Sequence, residues 1–199
     1  MTRQFSAACE RNREPILAVL REVLPAPAKV LEIGSGTGQH AVYFGAHLPQ
    51  LTWQPSDVPG SHSHASINAW LDEAGLPNVL RPVRLDVKSA DWPASPFDAV
   101  FSANTCHIMA WDEVRAMFSG ASRVLRQGGV MCVYGPFNYG GKFTSESNAL
   151  FDMSLKAQGE HMGIRGFEDV NGVAGENGLV LERDVEMPAN NRLLVWRKR

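Results

Sequence analysis

The sequence has few cysteines and no long apolar run. Its 199 residues include three cysteines, Cys9, Cys106 and Cys132, which are odd in number, far apart and free of any C-x-x-C pair. That pattern excludes a disulfide framework and supplies no zinc motif. No apolar run reaches the roughly 18 residues that a membrane span requires, so no membrane association is expected. The first 13 residues carry Arg3, Arg11 and Arg13 but not the apolar stretch of a secretory signal, and the cytoplasm is the expected compartment. An excess of one charge is also missing: 19 Lys and Arg against 21 Asp and Glu leave a formal net charge of −2. Each phosphate contact needs a cation, so nucleic acid is not an expected partner.

What is present is apolar material, 44% of the chain, enough for one sizeable core and too much for a disordered chain. The order of patterns then indicates an architecture. Ile16, Leu17, Val19, Leu20, Val23 and Leu24 recur at helical spacing, and Pro25 with Pro27 ends that helix. Strand-like runs follow at 29–33, 51–54, 79–85, 97–101 and 129–134, the second closed by Pro55-Ser56-Asp57. Helical patterns lie between them at 39–48, at 66–74 with Gly75 as its cap, and from Trp111 to Leu125, stopping at Gly128-Gly129. Alternation of this kind specifies βαβ units and a parallel sheet with helices on both faces. After helices at 147–158 and 167–177, Leu179–Met187 and Arg192–Trp196 read as two strands around a tight turn at Asn190-Asn191. The expected fold is therefore α/β: a three-layer, Rossmann-like, doubly wound sheet of seven strands, mostly parallel, with an antiparallel C-terminal hairpin. One domain is expected over 1–199, with a lid inserted around 137–166.

The sharpest local signal is Glu32-Ile-Gly34-Ser35-Gly36-Thr-Gly38-Gln39 at the end of the first strand. Glycines there let the chain turn sharply and let a ligand approach bare backbone. The spacing is G-x-G-x-G, whereas the dinucleotide fingerprint needs glycine where this chain has Gln39. Glu32 is awkward beside a pyrophosphate but suits an ammonium group, and S-adenosylmethionine carries an ammonium, a sulfonium and no phosphate. Asp57, 19 residues past Gly38, is placed to accept both ribose hydroxyls, and Asp86, ending the third strand, to accept from an adenine amino group. Three acids at consecutive strand ends fit one ligand in the crevice outside the carboxyl ends of a parallel sheet.

With these residues, Gly128-Gly129 and the final hairpin, the whole chain resembles a class I S-adenosylmethionine-dependent methyltransferase. The resemblance implies that Glu32 and Gly34 to Gly38, Ser35 included, face the methionine moiety. It likewise implies that Asp57 meets the ribose, that Asp86 meets the adenine and that Asn104 lies near the transferable methyl group. A narrower likeness rests on Glu10-Arg-Asn-Arg-Glu-Pro-Ile-Leu17, Gln54-Pro-Ser-Asp57, Ser66-Ile-Asn-Ala-Trp70, Gly163-Ile-Arg165, Phe167-Glu-Asp-Val170 and Met187-Pro-Ala-Asn-Asn191. These blocks are similar to those of a family of small methyltransferase-like proteins of unknown function. Glu160-His-Met-Gly163 departs from that family, where Asp-Pro and an aromatic residue are expected.

Methyl transfer from a sulfonium is an in-line displacement that depends chiefly on alignment. A base is needed only for a protonated acceptor. His107, three residues past Asn104, is the first candidate, against a capping or surface role; Tyr134 and Tyr139 come next. An arginine of the Arg11-Asn12-Arg13 stretch could pair with the carboxylate of the cofactor or of the substrate, or be solvated. Cys106 reads as an apolar filler. His62 and His64 lack a third ligand, so no metal is expected. The expected function is transfer of a methyl group from S-adenosylmethionine to a small-molecule acceptor, or to a protein side chain. The alternatives are a catalytically silent S-adenosylmethionine-binding module and a nicotinamide-dependent oxidoreductase, the latter opposed by Gln39 and the hairpin.

Overall fold

Val30 faces one apolar layer while Leu31 and Ile33 face the other, and all three are buried. Residues apolar on both faces make a central strand of a covered sheet. In a computed structural model, which describes residues 3–60, 62–94 and 96–199, these residues form β1 (Ala28–Ile33). The strands after it are β2 (Leu51–Asp57), β3 (Val83–Arg84), β4 (Phe97–Ala103), β5 (Leu125–Gly135), β6 (Phe137–Asn138), β7 (Arg165–Gly166), β8 (Leu179–Met187) and β9 (Asn191–Lys198). The helices are α1 (Ala7–Val23), α2 (Gln39–His47), α3 (Ser63–Ala74), α4 (Trp111–Val124), α5 (Glu146–Gln158) and α6 (Phe167–Glu176).

Seven strands form one sheet in the order β3-β2-β1-β4-β5-β9-β8. Its first five strands are parallel, and β9 pairs antiparallel with both β5 and β8. The expected fold class, hairpin included, is the observed one. Helices α1, α2 and α3 bury Ile16, Leu20, Phe44 and Ile67 against one face; α4 and α6 bury Val114, Phe118 and Val170 against the other. The chain winds outward from β1 to β3 and then crosses back to β4. This reversal opens a crevice at the carboxyl ends of β1 and β4.

Three of the boundaries that differ from the sequence reading have a local cause. β2 does not stop before Pro55 but runs through Asp57. Pro55 falls in the gap between the Trp53–Val79 bridge and the Ser56–Val83 pair, so its missing N–H leaves no ladder bond unmade. β3 shrinks to Val83–Arg84 because Pro82 cannot donate to the ladder. The Gly128-Gly129 pair does not separate α4 from the next strand; it lies inside β5, where the register against β4 shifts. Gly128 has φ +74, and a Cβ on Gly129 would stand 2.8 Å from the Arg126 carbonyl oxygen. The small β6–β7 pair is an addition, closing the 137–166 segment at its base. Among the described residues no helix is long and apolar enough to cross a membrane.

Candidate active site

All three glycines after β1 have left-handed backbones, Gly34 at φ 71, Gly36 at φ 55 and Gly38 at φ 92, a region that strains any residue with a Cβ. Two are also fixed by packing. A Cβ on Gly34 would meet Thr105 Cγ2 at 2.5 Å, and one on Gly38 would meet Ile67 Cα at 2.8 Å. Gly36 has no such neighbour and faces open space. The loop is pinned to the end of β2: Ser35 N donates to Ser56 O at 2.9 Å and Gly36 N to Asp57 Oδ2 at 2.7 Å.

Above this loop lies a cavity of about 850 Å³. Among the residues singled out in the sequence, Gly34, Ser35, Gly36, Asp57, Asp86, Asn104 and His107 all line it. Asp57 also accepts from Val58 N at 2.8 Å, and Asp86 is exposed between buried Leu85 and Val87, all three on the wall. Asn104 has φ 58, a left-handed turn that asparagine tolerates, and its N–H donates to Tyr134 O at 2.9 Å.

Glu32, Gly38 and Tyr139 are not brought to the wall. Glu32 is buried beneath the loop, where Oε2 accepts from Ser35 Oγ at 2.8 Å and from Trp53 Nε1 at 3.0 Å. Burial raises its pKa to about 7 against the pull of those two donors. Its place makes it a support of the glycine loop. Gly38 caps α2. Tyr139 stacks on Phe167 with ring centroids 5.0 Å apart and donates its hydroxyl to Asp184 Oδ2 at 2.8 Å. Burial, then Asp184, pushes that phenol up, so neither place nor acidity suits it to take a proton at the cavity.

His107 remains as the base candidate. It is buried, edge-on to Phe151 at 5.4 Å, and among the described residues neither ring nitrogen has a hydrogen-bond partner. Burial first, and the nearby charge of Arg165 second, lower its pKa to about 4, so the ring is neutral at pH 7. Its loop is held from outside by a group that sequence reasoning gave no role. The Arg165 guanidinium donates to the carbonyls of Cys106 at 3.0 Å, His161 at 2.7 Å and Met109. Gly163 N donates to His107 O at 2.9 Å. The Gly163-Ile-Arg165 block was visible as a motif, but its target lies more than fifty residues away in the chain. Cys106 is buried with its pKa pushed up to about 12, as a filler should be.

More of the wall comes from α1, the start of α2, α5 and the β8–β9 turn, and includes Cys9, Arg11, His40, Asn148, Phe151 and Asn191. Asn148 Nδ2 donates to Asn190 O at 3.2 Å, tying α5 to the turn. His40 pairs through Nε2 with Asn12 Oδ1 at 2.7 Å, and burial lowers its pKa to about 4. Sequence reasoning missed His40, although its place two residues after Gly38 was a usable signal.

A family model described as "Protein of unknown function (DUF938)" matches residues 3–198. Among solved structures, the chain is similar to an O-methyltransferase family protein from Burkholderia thailandensis. The TM-score is 0.80 at 18% identity, covering 93% of this chain and 55% of that one. It is similar to the S-adenosylmethionine-dependent methyltransferase SibL in its apo form, with TM-score 0.81, 20% identity and coverage of 96% and 56%. It is also similar to an O-methyltransferase family 2 protein from Planctomyces limnophilus in complex with apigenin, with TM-score 0.78, 15% identity and coverage of 94% and 62%. The chain thus has a methyltransferase fold and spans little more than half the length of these proteins.

Proposed function

We propose that this chain, which belongs to the DUF938 family of proteins of unknown function, transfers a methyl group from S-adenosylmethionine to a small-molecule acceptor. The observation that carries the reading is the cavity, onto which β1, β2 and β3 deliver Gly34 to Gly36, Asp57 and Asp86 from adjacent strand ends. Its fit to the cofactor is chemical. Gly36 leaves open backbone where a Cβ would project, and the acids beside it suit a cationic sulfonium and repel a pyrophosphate. Asp57 would hold the ribose, and Asp86 the adenine against Leu85 and Val87. Gly34 to Gly36 with Asn104 would hold the methionine end.

When bound, S-adenosylmethionine supplies a methyl group on a leaving group that needs no further activation. The chain's own residues then align and shield. Asn104 and the glycine loop fix the donor side, while Ile108, Pro136 and Phe151 give apolar walls that exclude water from the acceptor side. His107, neutral at pH 7, takes the proton of a hydroxyl acceptor. The 137–166 segment, whose α5 contributes Asn148 and Phe151 to the wall, covers that acceptor as a lid. An acceptor of small-molecule size agrees with the cavity, and the structural relatives named as O-methyltransferases include one complexed with apigenin.

The test is incubation with methyl-labelled S-adenosylmethionine and a metabolite extract. Label is expected in a small molecule, and the transfer should fall at least a hundredfold in His107→Ala, within the range general-base catalysis spans. A protein that binds the cofactor and leaves every acceptor unlabelled is a binding module, and that outcome contradicts the proposal.

A further inference from the structure

We propose that Arg11 is the receptor for a carboxylate on the methyl acceptor, so that the substrate class is an apolar molecule bearing an anionic group. This rests on the methyltransferase reading and adds to it the chemistry of the second ligand. The opening observation is an unmatched charge. Arg11 lines the cavity, is exposed, and among the described residues makes no hydrogen bond or ion pair. Its neighbours on α1 behave differently. Arg13 pairs with Glu10 at 2.7 Å and lies 4.6 Å over the Tyr43 ring, and Arg3, just before α1, pairs with Glu73 at 2.5 Å. No lysine and no other arginine among the described residues stands on the cavity wall.

The three acids of that wall are each engaged locally: Asp57 by Gly36 N and Val58 N, Asp86 by Lys88 N at 2.9 Å, and Glu113 by Ala110 N at 2.7 Å. None is paired with Arg11. A planar guanidinium directed at a largely apolar cavity with no carboxylate of its own suits a carboxylate brought by a ligand, held by two parallel N–H donors.

Its place in the sheet says which ligand. The glycine loop leaves β1, whereas Arg11 stands over the end of β5, two strands away. Burial raises the pKa of the Tyr134 phenol, and the charge of Arg11 pulls against that rise. The Asn12 side chain is fixed by His40 at 2.7 Å, so the turn of helix carrying Arg11 is held from below. Arg11 and His107 line the same cavity, which Ile108 and Phe151 wall with apolar surface, so an acceptor bound there would meet both. The other source of a carboxylate is the amino-acid end of the cofactor itself, and the experiment separates the two.

Binding of benzoate, phenylacetate and octanoate, each against its neutral amide, is measured on wild type, Arg11→Met and Arg11→Lys, with saturating S-adenosylhomocysteine. In wild type at least one acid is expected to bind tenfold or more tightly than its amide. Arg11→Met should lose that preference, Arg11→Lys should keep part of it, and S-adenosylhomocysteine affinity should stay within twofold. Because Arg11 is exposed and unpaired, both variants should melt with the wild type. The proposal is overturned if no acid is preferred over its amide, or if Arg11→Met keeps the preference. It is equally overturned if Arg11→Met weakens S-adenosylhomocysteine tenfold while sparing 5′-methylthioadenosine, which lacks the amino-acid end; the cofactor is then the carboxylate's source. A wild type that binds no S-adenosylhomocysteine at all removes the methyltransferase reading itself, a result distinct from each of these.

Discussion

Two buried histidines and one buried glutamate set the behaviour of this chain at the residue scale. His107 and His40 have pKa values lowered to about 4, in both cases chiefly by burial. Their unfolded counterparts titrate near 6.5, so stability is fully present above that pH and is lost as pH falls toward about 4. Glu32 behaves oppositely. Its folded pKa of about 7 lies above the ordinary 4.5, so its contribution is present below 4.5 and is lost as pH rises through about 7. Glu32→Gln removes the one of these three contributions that falls between pH 4.5 and about 7, so its urea midpoint is expected to rise more steeply with pH across that window than that of the wild type. An unchanged slope would place that titration elsewhere. For His107 the expected outcome is an NMR titration near pH 4, and a midpoint near 6.5 would deny its burial beside Arg165. Glu32 also shows where sequence reasoning stops at this scale. Its type and place at the end of a strand were readable, but alternation along β1 could not say that its carboxyl would turn to Ser35 and Trp53 beneath the loop.

Elements were legible where a local rule decided them. Gly75 ends α3 in a left-handed conformation with φ 60, and Leu179–Met187 forms β8 as its pattern predicts. They were misread where a neighbour decided. Pro55 looked like a terminator because proline lacks an N–H, yet it stands where β3 makes no bond to β2. The segment from β6 to β7 depended on non-local contacts throughout. Besides the nearby His161 carbonyl, Arg165 holds those of Cys106 and Met109, which its own sequence neighbourhood does not reveal. Arg165→Ala is expected to cost about 1–3 kcal/mol in urea unfolding, the usual range for charged hydrogen bonds to groups left unpaired. It should also speed amide exchange at Gly163 by at least tenfold and raise the His107 pKa. Unchanged exchange would separate this segment from the His107 loop.

At the scale of the whole molecule, the strand–helix alternation and the terminal hairpin sufficed for the fold class, a mostly parallel seven-stranded sheet with an antiparallel hairpin, because crossover handedness and strand burial leave few arrangements. The glycine-loop half of the cavity was legible for the same reason: Gly34, Asp57 and Asp86 all follow parallel strands, and parallel strands end together. The opposite half was not. Cys9, Asn148 and Asn191 meet only after α1, α5 and the β8–β9 turn have folded onto one another, and no periodicity records that meeting. The excess of arginine over lysine also takes a physical place here. Most arginines sit in ion pairs, among them Arg183 with Glu22, which joins β8 to α1, and Arg192 with Asp184. A planar fork loses less freedom per bond than an ammonium on a flexible stem.

All of this rests on the cavity being a site for S-adenosylmethionine, and calorimetric titration with S-adenosylhomocysteine tests that most directly. Wild type is expected to bind one equivalent, and Asp57→Ala to bind it at least tenfold more weakly, about 1–3 kcal/mol for hydroxyls left without an acceptor. Failure to bind S-adenosylhomocysteine, alongside saturable binding of NAD, would contradict the account.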